Sequence, residues 1–308
     1  MPNLIDTAKQ RIKTRFFALM QQALERAAQK QNAELAALAK AAPAAKIAQR
    51  ELFIRYQSLA KAGTLPSIDD TGYRVYSQFD EDGIFVFLFA VAGTANKTFV
   101  DIGASDGINS NCANLAINFG WHGLFIDGNA QAIAHGEQFY QAHPDTFLYP
   151  PRFVSAMVNR SNINAIISGA GFSGEIDLVS IDIDGNDYWI WDALECVHPR
   201  VVCIETHIEF GMNDVVVPYD ENYVYPGKHP DYHGASPVAM ANLAKRKGYR
   251  LVGANLYGFN TIYVRSDLAP DLIPAVTVEH ILRHPRNAER FKLFEAIQGM
   301  PYLYGYQG

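Results

Sequence analysis

Residues 98–129, TFVDIGASDGINSNCANLAINFGWHGLFIDGN, contain the pattern that decides the fold. A first apolar run ends in Asp101-x-Gly103-x-x-x-Gly107, and a second apolar run ends in Asp127. A strand, a glycine-rich turn, a helix and a second strand that ends in an acid describe the first half of a nucleotide-binding α/β sheet. Ligands of such sheets lie at the carboxyl ends of the strands, where Asp127 can accept hydrogen bonds from both hydroxyls of a ribose.

The acids in the glycine-rich turn narrow the choice of ligand. A dinucleotide site would show Gly-x-Gly-x-x-Gly, whereas this turn places Asp106 before Gly107. A carboxylate suits a ligand with an ammonium and a sulfonium group better than a pyrophosphate. The spacing resembles motif I of class I S-adenosylmethionine (SAM) methyltransferases. Two alternatives stay open, namely another nucleotide and a turn that binds nothing.

Seven strand-like runs follow one another along the chain, with room for crossover helices between the first five. They cover residues 97–103, 123–127, 153–158, 176–183, 201–206, 249–253 and 260–265. The last two are separated by a short segment that contains Asn and Gly, as in a hairpin. The pattern predicts an α/β fold, a Rossmann-like seven-stranded methyltransferase sheet with an antiparallel last strand and an N-terminal helical extension.

Composition divides the chain into four predicted segments. Residues 1–62 form a helical arm, 63–75 a linker, 76–266 the methyltransferase domain, and 267–308 a helical tail that packs on it. The arm is rich in Ala, Gln, Leu and Lys, and its proline at position 43 divides it into two helices.

Charge and composition exclude several classes of protein. The 308 residues are 49% hydrophobic with net charge −6, although the first 62 carry 11 basic and 4 acidic residues. The acidic body argues against a nucleic-acid partner. No apolar run is long enough to span a membrane or to form a signal core. Cys112, Cys196 and Cys203 are interpreted as reduced thiols, which together with these features predicts a cytoplasmic protein.

The predicted helix over residues 4–41 carries an apolar stripe. Ile5, Ile12, Phe16 and Leu19 follow helical spacing, and this stripe would be unfavourably exposed in a monomer. The stripe therefore predicts a homo-oligomer formed through the N-terminal helix. The alternative is a strut against the chain's own domain.

A second set of polar residues follows the fourth and fifth predicted strands. Asp182 and Asp184 alternate along an extended chain and should point to the same side, while Glu205 and His207 end the next strand. Adjacent parallel strands are about 5 Å apart, so these side chains should converge. Such a set can bind Mg²⁺ or Mn²⁺ or act as a general base. Asp187 fits a turn and helix cap.

Several segments together resemble FkbM-like bacterial methyltransferases. They are SQFDEDGI, FVDIGASDGINSN, VSIDIDGNDYWIWDAL, VVCIETH, YHGAS and KRKGYRLVGANLYGFN, which span about residues 76–265. The resemblance implies methylation of oxygen, often on sugars or secondary metabolites. It also implies that SAM is bound by the following residues: Gln78, Glu81, Asp101, Gly103, Asp106, Gly107 and Asp127. Asp182 would lie near the transferred methyl group, and metal-dependent O-methyltransferases have acids at the same two strand ends.

The segment 210–236 is long and irregular, and it follows the fifth strand. It contains four tyrosines together with His229 and His233, side chains that can stack on and hydrogen-bond a sugar or phenol. Such loops are usually functional or disordered, so we expect an acceptor lid; the alternative is a self-packed surface loop.

The function that these patterns favour is SAM-dependent methylation of a hydroxyl on a sugar, glycan or secondary metabolite. The candidate catalytic residues are Asp182, His207 and His233, and the candidate metal ligands are Asp182, Asp184 and Glu205. The rivals are a non-catalytic binding module that acts through its N-terminal helix and an enzyme that uses another nucleotide.

Overall fold

The structure, a computed structural model, describes residues 43–306. The predicted helix over residues 4–41 and its apolar stripe lie outside the described residues. The chain forms two compact units, residues 1–51 and 52–308. Helix α1, Pro43–Ala62, begins in the first unit and ends in the second, which confirms the second helix of the predicted extension.

Strands and helices alternate along most of the second unit. Its helices are α2 Glu81–Ala92, α3 Ala113–Phe119, α4 Ala130–Ala142, α5 Ile163–Gly169, α6 Asp187–Ala193, α7 Pro237–Arg246, α8 Val278–Ile281, α9 Asn287–Arg290 and α10 Phe294–Ile297. Its strands are β1 Thr98–Ile102, β2 His122–Asp127, β3 Arg152–Ser155, β4 Gly174–Ile181, β5 Val197–Glu205, β6 Val215–Val216, β7 Tyr249–Ala254, β8 Asn260–Arg265 and β9 Leu303–Tyr304.

Seven of these strands form one sheet in the order β3-β2-β1-β4-β5-β8-β7. The first five are parallel, while β8 pairs antiparallel with both β5 and β7. This order and the reversed β8 confirm the predicted Rossmann-like methyltransferase sheet. Because β1 to β5 are parallel, their carboxyl ends meet at one edge, which is where such folds bind ligands.

The sheet is buried on both faces, as parallel sheets usually are. The central strand β4 is buried continuously from Ile176 to Ile181, and helix α2 is buried over its first ten residues. Apolar side chains on the two faces form two core clusters. The rigid centre fixes the positions of the turns that leave the strand ends.

The C-terminal residues contact the segment that follows β5. Strand β9 pairs antiparallel with β6, and Phe210, Tyr232 and Tyr302 share a small apolar cluster. The tail is thus attached beside the carboxyl edge of the sheet. Within residues 43–306, no helix has the length and apolarity needed to cross a lipid bilayer.

The three cysteines are free thiols. Cys112 and Cys203 are buried and Cys196 is half-buried. Reduced cysteines were predicted at all three positions, and burial raises the pKa of each thiol.

Candidate functional site

The glycine-rich turn after β1 is fixed by the strands on either side of it. The backbone N–H groups of Gly103 and Ala104 both donate to the carbonyl of Ile126, and Asp182 N–H donates to Ile102 O at 2.9 Å. Gly103 has φ +85°, and a β-carbon built there would lie 1.6 Å from Asp182 O. Glycine is required here by the neighbouring backbone.

Asp127 lies at the end of β2 with both carboxylate oxygens engaged by backbone. Its Oδ2 accepts from Ser105 N–H and its Oδ1 from Asn129 N–H, each at 2.7 Å. A cleft of about 410 Å³ opens beside it, with Met157 and Val158 among its apolar lining. We name this space the Asp127 cleft. Each carboxylate oxygen has a further lone pair, so the geometry fits the ribose-binding role predicted for Asp127.

A second and larger cleft of about 790 Å³ adjoins the first. Its lining includes Gln78 and His207, and we name it the His207 cleft. Four of the lining residues are common to both clefts, namely Gly103, Ser105, Asp182 and Asp184. These four residues therefore form the boundary between the two spaces.

One side of the His207 cleft is aromatic. Phe79 meets Phe259 edge-to-face with ring centroids 4.9 Å apart, and Tyr257 stacks nearly parallel to Phe259. All three rings line the cleft together with the carboxylates of Asp182 and Glu205. The cleft thus combines flat apolar surfaces with hydrogen-bond acceptors.

Asp182, Asp184 and Glu205 converge as predicted. One carboxylate oxygen from each lies within 4.8 Å of the others. Burial raises the pKa of Asp182 and of Glu205 well above the ordinary range, and the neighbouring carboxylates raise both further. Within residues 43–306, the buried Oε2 of Glu205 has no hydrogen-bond partner. The cluster is therefore suited to hold a shared proton or a cation.

The reason given for this convergence was wrong. Strand β4 ends at Ile181, so Asp182 and Asp184 do not alternate along a strand. Asp184 has φ +55°, a left-handed conformation that aspartate tolerates better than most residues. Asp187 makes the turn, because its carboxylate accepts the N–H groups of Ile183 and Gly185 at 2.8 and 2.9 Å.

Four of the seven residues predicted to bind SAM do not line either cleft. Asp101 is 4% exposed and accepts the Ser110 hydroxyl hydrogen, and burial raises its pKa to about 6. Asp106 accepts the N–H of Ile108 and lies 3.2 Å from His135. Gly107 packs against the ring of Phe125.

Glu81 is the fourth of these residues and is fully buried. Its Oε1 accepts the side-chain amides of Asn255 and Asn260, at 3.1 and 2.8 Å, and its Oε2 accepts Phe79 N–H. Glu81 thus ties the segment before α2 to the β7–β8 hairpin. Gln78 is exposed and lines the His207 cleft.

His207, which follows β5, and His233, from the segment that follows β6, pack ring against ring. Their ring centroids are 3.8 Å apart, and they are 8% and 5% exposed. Among the described residues, neither His207 Nε2 nor His233 Nδ1 has a hydrogen-bond partner. Burial, reinforced by His207, lowers the pKa of His233 to about 3, so this ring is neutral at physiological pH.

The segment 210–236 is held at several points along its length. Trp189 Nε1 donates to Val217 O at 2.9 Å, and the Tyr232 hydroxyl donates to Pro301 O. Tyr223 lines the Asp127 cleft. Its ring packs against Gly185 and Gly227, where a β-carbon would clash with it. Tyr223 thus brings segment 210–236 to the Asp127 cleft.

Two groups of cleft residues were missed by the sequence analysis. Arg286 and Arg290, from the tail, line the His207 cleft, and so does Glu209. Arg290 forms an ion pair with Glu209, which is 81 positions away in the chain. Four basic residues between 283 and 290 were the available signal, but no periodicity relates the tail to the end of β5.

Comparison with known proteins gives remote structural similarity only. An O-methyltransferase family protein from Burkholderia thailandensis has TM-score 0.36 at 11% identity, covering 60% of this chain and 58% of that chain. The O-methyltransferase of a polyketide synthase multienzyme of Brevibacillus brevis, in complex with S-adenosyl-L-homocysteine, has TM-score 0.34 at 10% identity, covering 65% and 60%. The carbon methyltransferase CurJ has TM-score 0.38 at 11% identity, covering 74% and 68%.

The chain spans less than two thirds of the length of the first two of these proteins. No protein-family model and no curated protein sequence matches it. The fold assignment therefore rests on the strand order and direction described above, and no residue role is transferred from these structures.

Proposed function

We propose that this protein is a SAM-dependent methyltransferase that acts on a hydroxyl group of a sugar, a glycan or a secondary metabolite. The observation that carries the proposal is the position of Asp182, which lines both clefts at their boundary. A cofactor in one cleft and an acceptor in the other would meet beside this residue. The resemblance to FkbM-like methyltransferases supports the same function.

The Asp127 cleft fits the adenosine part of the cofactor. Asp127 offers acceptors for the ribose hydroxyls, and Met157 and Val158 offer an apolar surface for the base. Bound there, SAM supplies the methyl group. Four predicted SAM-binding residues line neither cleft, and in this proposal they stabilise the loops that shape the Asp127 cleft without contacting SAM. They are Glu81, Asp101, Asp106 and Gly107.

The His207 cleft fits a hydroxylated acceptor. The aromatic rings that line it can cover the C–H face of a sugar or stack on a phenol, while the carboxylates that line it can accept hydroxyl hydrogens. An acceptor hydroxyl must also lose its proton. Asp182 has a raised pKa and is therefore a stronger base than an ordinary carboxylate, which suits it to this step.

The acid cluster has a second role that one observation favours. Mg²⁺ and Mn²⁺ prefer oxygen ligands, and the cluster supplies three carboxylates. Within residues 43–306, the Oε2 of Glu205 is buried and has no hydrogen-bond partner, which fits a cation bound at this atom. A cation held by Asp182, Asp184 and Glu205 would lower the pKa of an acceptor hydroxyl. Chelation separates the two roles. If chelation abolishes turnover and Mg²⁺ or Mn²⁺ restores it, the cluster binds a metal. If turnover survives chelation, the cluster acts as a general base or binds the acceptor.

Turnover is tested with SAM that carries an isotopically labelled methyl group and a panel of sugars, glycans and phenols. We expect a labelled O-methyl product, detected by NMR and mass spectrometry. Asp182→Asn should lower kcat by about 100-fold or more, as expected for loss of a general base. Glu137→Gln, on the exposed face of α4, is the matched control. A labelled C-methyl product would show that carbon, and not oxygen, is the acceptor atom.

Self-association through the N-terminal helix is a further part of this proposal. It rests on the apolar stripe of Ile5, Ile12, Phe16 and Leu19 in the sequence. Deletion of residues 1–42 should lower the number of subunits per particle, calculated from the mass measured by light scattering, and leave SAM binding unchanged. A full-length chain that is monomeric at micromolar concentration would contradict it.

A further inference from the structure

We propose that Glu209 is a positioning residue, which holds the His207 ring with its hydrogen on Nδ1 and a free lone pair on Nε2. The inference rests on the proposed function, in which His207 is a candidate catalytic residue. It adds to that site a residue from the short helical turn Ile208–Phe210 and a partner from the tail, Arg290.

Glu209 lies between two basic side chains. Its Oε2 is 3.6 Å from His207 Nδ1, an ion-pair distance slightly longer than a direct hydrogen bond, and its Oε1 receives Arg290. Glu209 is only 4% exposed. Burial alone would raise its pKa, but interaction with His207 and Arg290 outweighs burial and lowers the pKa to about 2. The carboxylate is therefore ionised at neutral pH.

An ionised carboxylate can only accept hydrogen bonds. The ring nitrogen that faces it is thus favoured to carry the hydrogen, which places the hydrogen of a neutral His207 on Nδ1 and leaves Nε2 bare. Within the described chain, Nε2 is buried and has no partner. A lone pair in this state can accept the hydrogen of a hydroxyl group.

The surroundings of the ring restrict it to this orientation. A β-carbon on Gly234 would lie 2.4 Å from His207 Cδ2, and the ring of His233 packs against the ring of His207. Arg290 holds the far oxygen of Glu209, so the tail restrains the carboxylate from the other side. The orientation of His207 thus depends on a residue that the tail supplies.

The tautomer can be measured without an acceptor. In long-range ¹H–¹⁵N spectra of the ¹⁵N-labelled full chain at a pH where the ring is neutral, His207 is assigned from the spectrum of His207→Gln. We expect the Nδ1–H tautomer in the wild type. Glu209→Gln should shift the population toward Nε2–H, because an amide can also donate to Nδ1. A wild-type ring in the Nε2–H form would overturn the proposal, and so would a Glu209→Gln ring that keeps Nδ1–H.

Two further variants guard against a general loss of structure. Arg290→Gln should shift the tautomer in the same direction but less, and Arg290→Lys should restore it in part. Glu289→Gln, a neighbouring lining residue that is 73% exposed at its side chain, is the matched control and should leave the spectrum unchanged. SAM binding measured on the same samples keeps the two questions apart: failure to bind SAM contradicts the proposed function, whereas the tautomer alone decides the role of Glu209.

Discussion

The carbonyl oxygen of Asp182 occupies the space that a side chain on Gly103 would need. A β-carbon on Gly103 would lie 1.6 Å from that oxygen and 2.6 Å from the carbonyl carbon. The two residues are 79 positions apart and immediately follow two adjacent parallel strands, β1 and β4. This contact sets the distance between the glycine-rich turn and the acid cluster.

Gly103→Ala should therefore unfold or strongly destabilise the protein. The residue has φ +85°, and backbone cannot move aside as a flexible side chain would, so we expect a loss on the order of 3–5 kcal/mol in the free energy of unfolding. Urea denaturation measures it. Gly169→Ala, which meets no atom within 4 Å, is the control. Equal stability of the two variants would contradict the contact.

Substitution of Glu81 should lower the stability of the protein, whereas substitution of Gln78 should change its affinity for ligand. Glu81→Ala leaves two buried amides and one backbone N–H without their acceptor, so the free energy of unfolding should fall by at least about 3 kcal/mol. Gln78→Ala should leave stability unchanged while altering ligand affinity, since Gln78 is exposed and lines the His207 cleft. Denaturation and calorimetry on both variants check this. A stable Glu81→Ala protein with impaired SAM binding would favour direct contact instead.

The sequence predicted the sheet well, because hydrophobic runs and turn residues are local signals. The seven strands and the antiparallel last strand followed from such signals. The convergence of the three acids was expected because β4 and β5 are neighbours, but the left-handed turn at Asp184 was not anticipated. The structural contacts of Glu81 and Gly103 were not anticipated, because their partners, Asn255 and the Asp182 backbone, are distant in the chain. Arg290 was missed for the same reason.

Asp101 should make the protein less stable as pH rises from 4 to 7. Its pKa is raised from 3.8 to about 6 by burial, so the folded state holds this proton more tightly than the unfolded chain. Its contribution is fully present below pH 3.8 and is lost as pH rises through 6, a change of about 3 kcal/mol. Asp101→Asn should flatten the fall between pH 4 and 7 measured by urea denaturation. A residual slope remains, because burial also raises the pKa of the following carboxyl groups: Asp82, Asp182, Asp187 and Glu205. A variant whose slope equals that of the wild type would refute the assignment.

Asp184→Asn should stabilise the protein in the absence of divalent ions. The change removes one of three carboxylates that lie together, and asparagine tolerates the φ of +55° at this position. A rise in Tm is expected in a chelating buffer. If the cluster binds Mn²⁺, added Mn²⁺ should raise the Tm of the wild type, and the increase should be smaller for the variant. A lower Tm for the variant in chelator would show that repulsion within the cluster is not significant.

The measurement that tests the central claim most directly is calorimetric titration of the folded full-length chain with SAM. We expect saturable binding at micromolar concentration, with S-adenosylhomocysteine competing for the same site and NAD or ATP failing to do so. Asp127→Ala should weaken binding by about 1–3 kcal/mol through loss of charged hydrogen bonds, while Glu137→Gln binds as the wild type does. Absence of binding to a wild-type protein whose circular dichroism shows it to be folded would contradict the account.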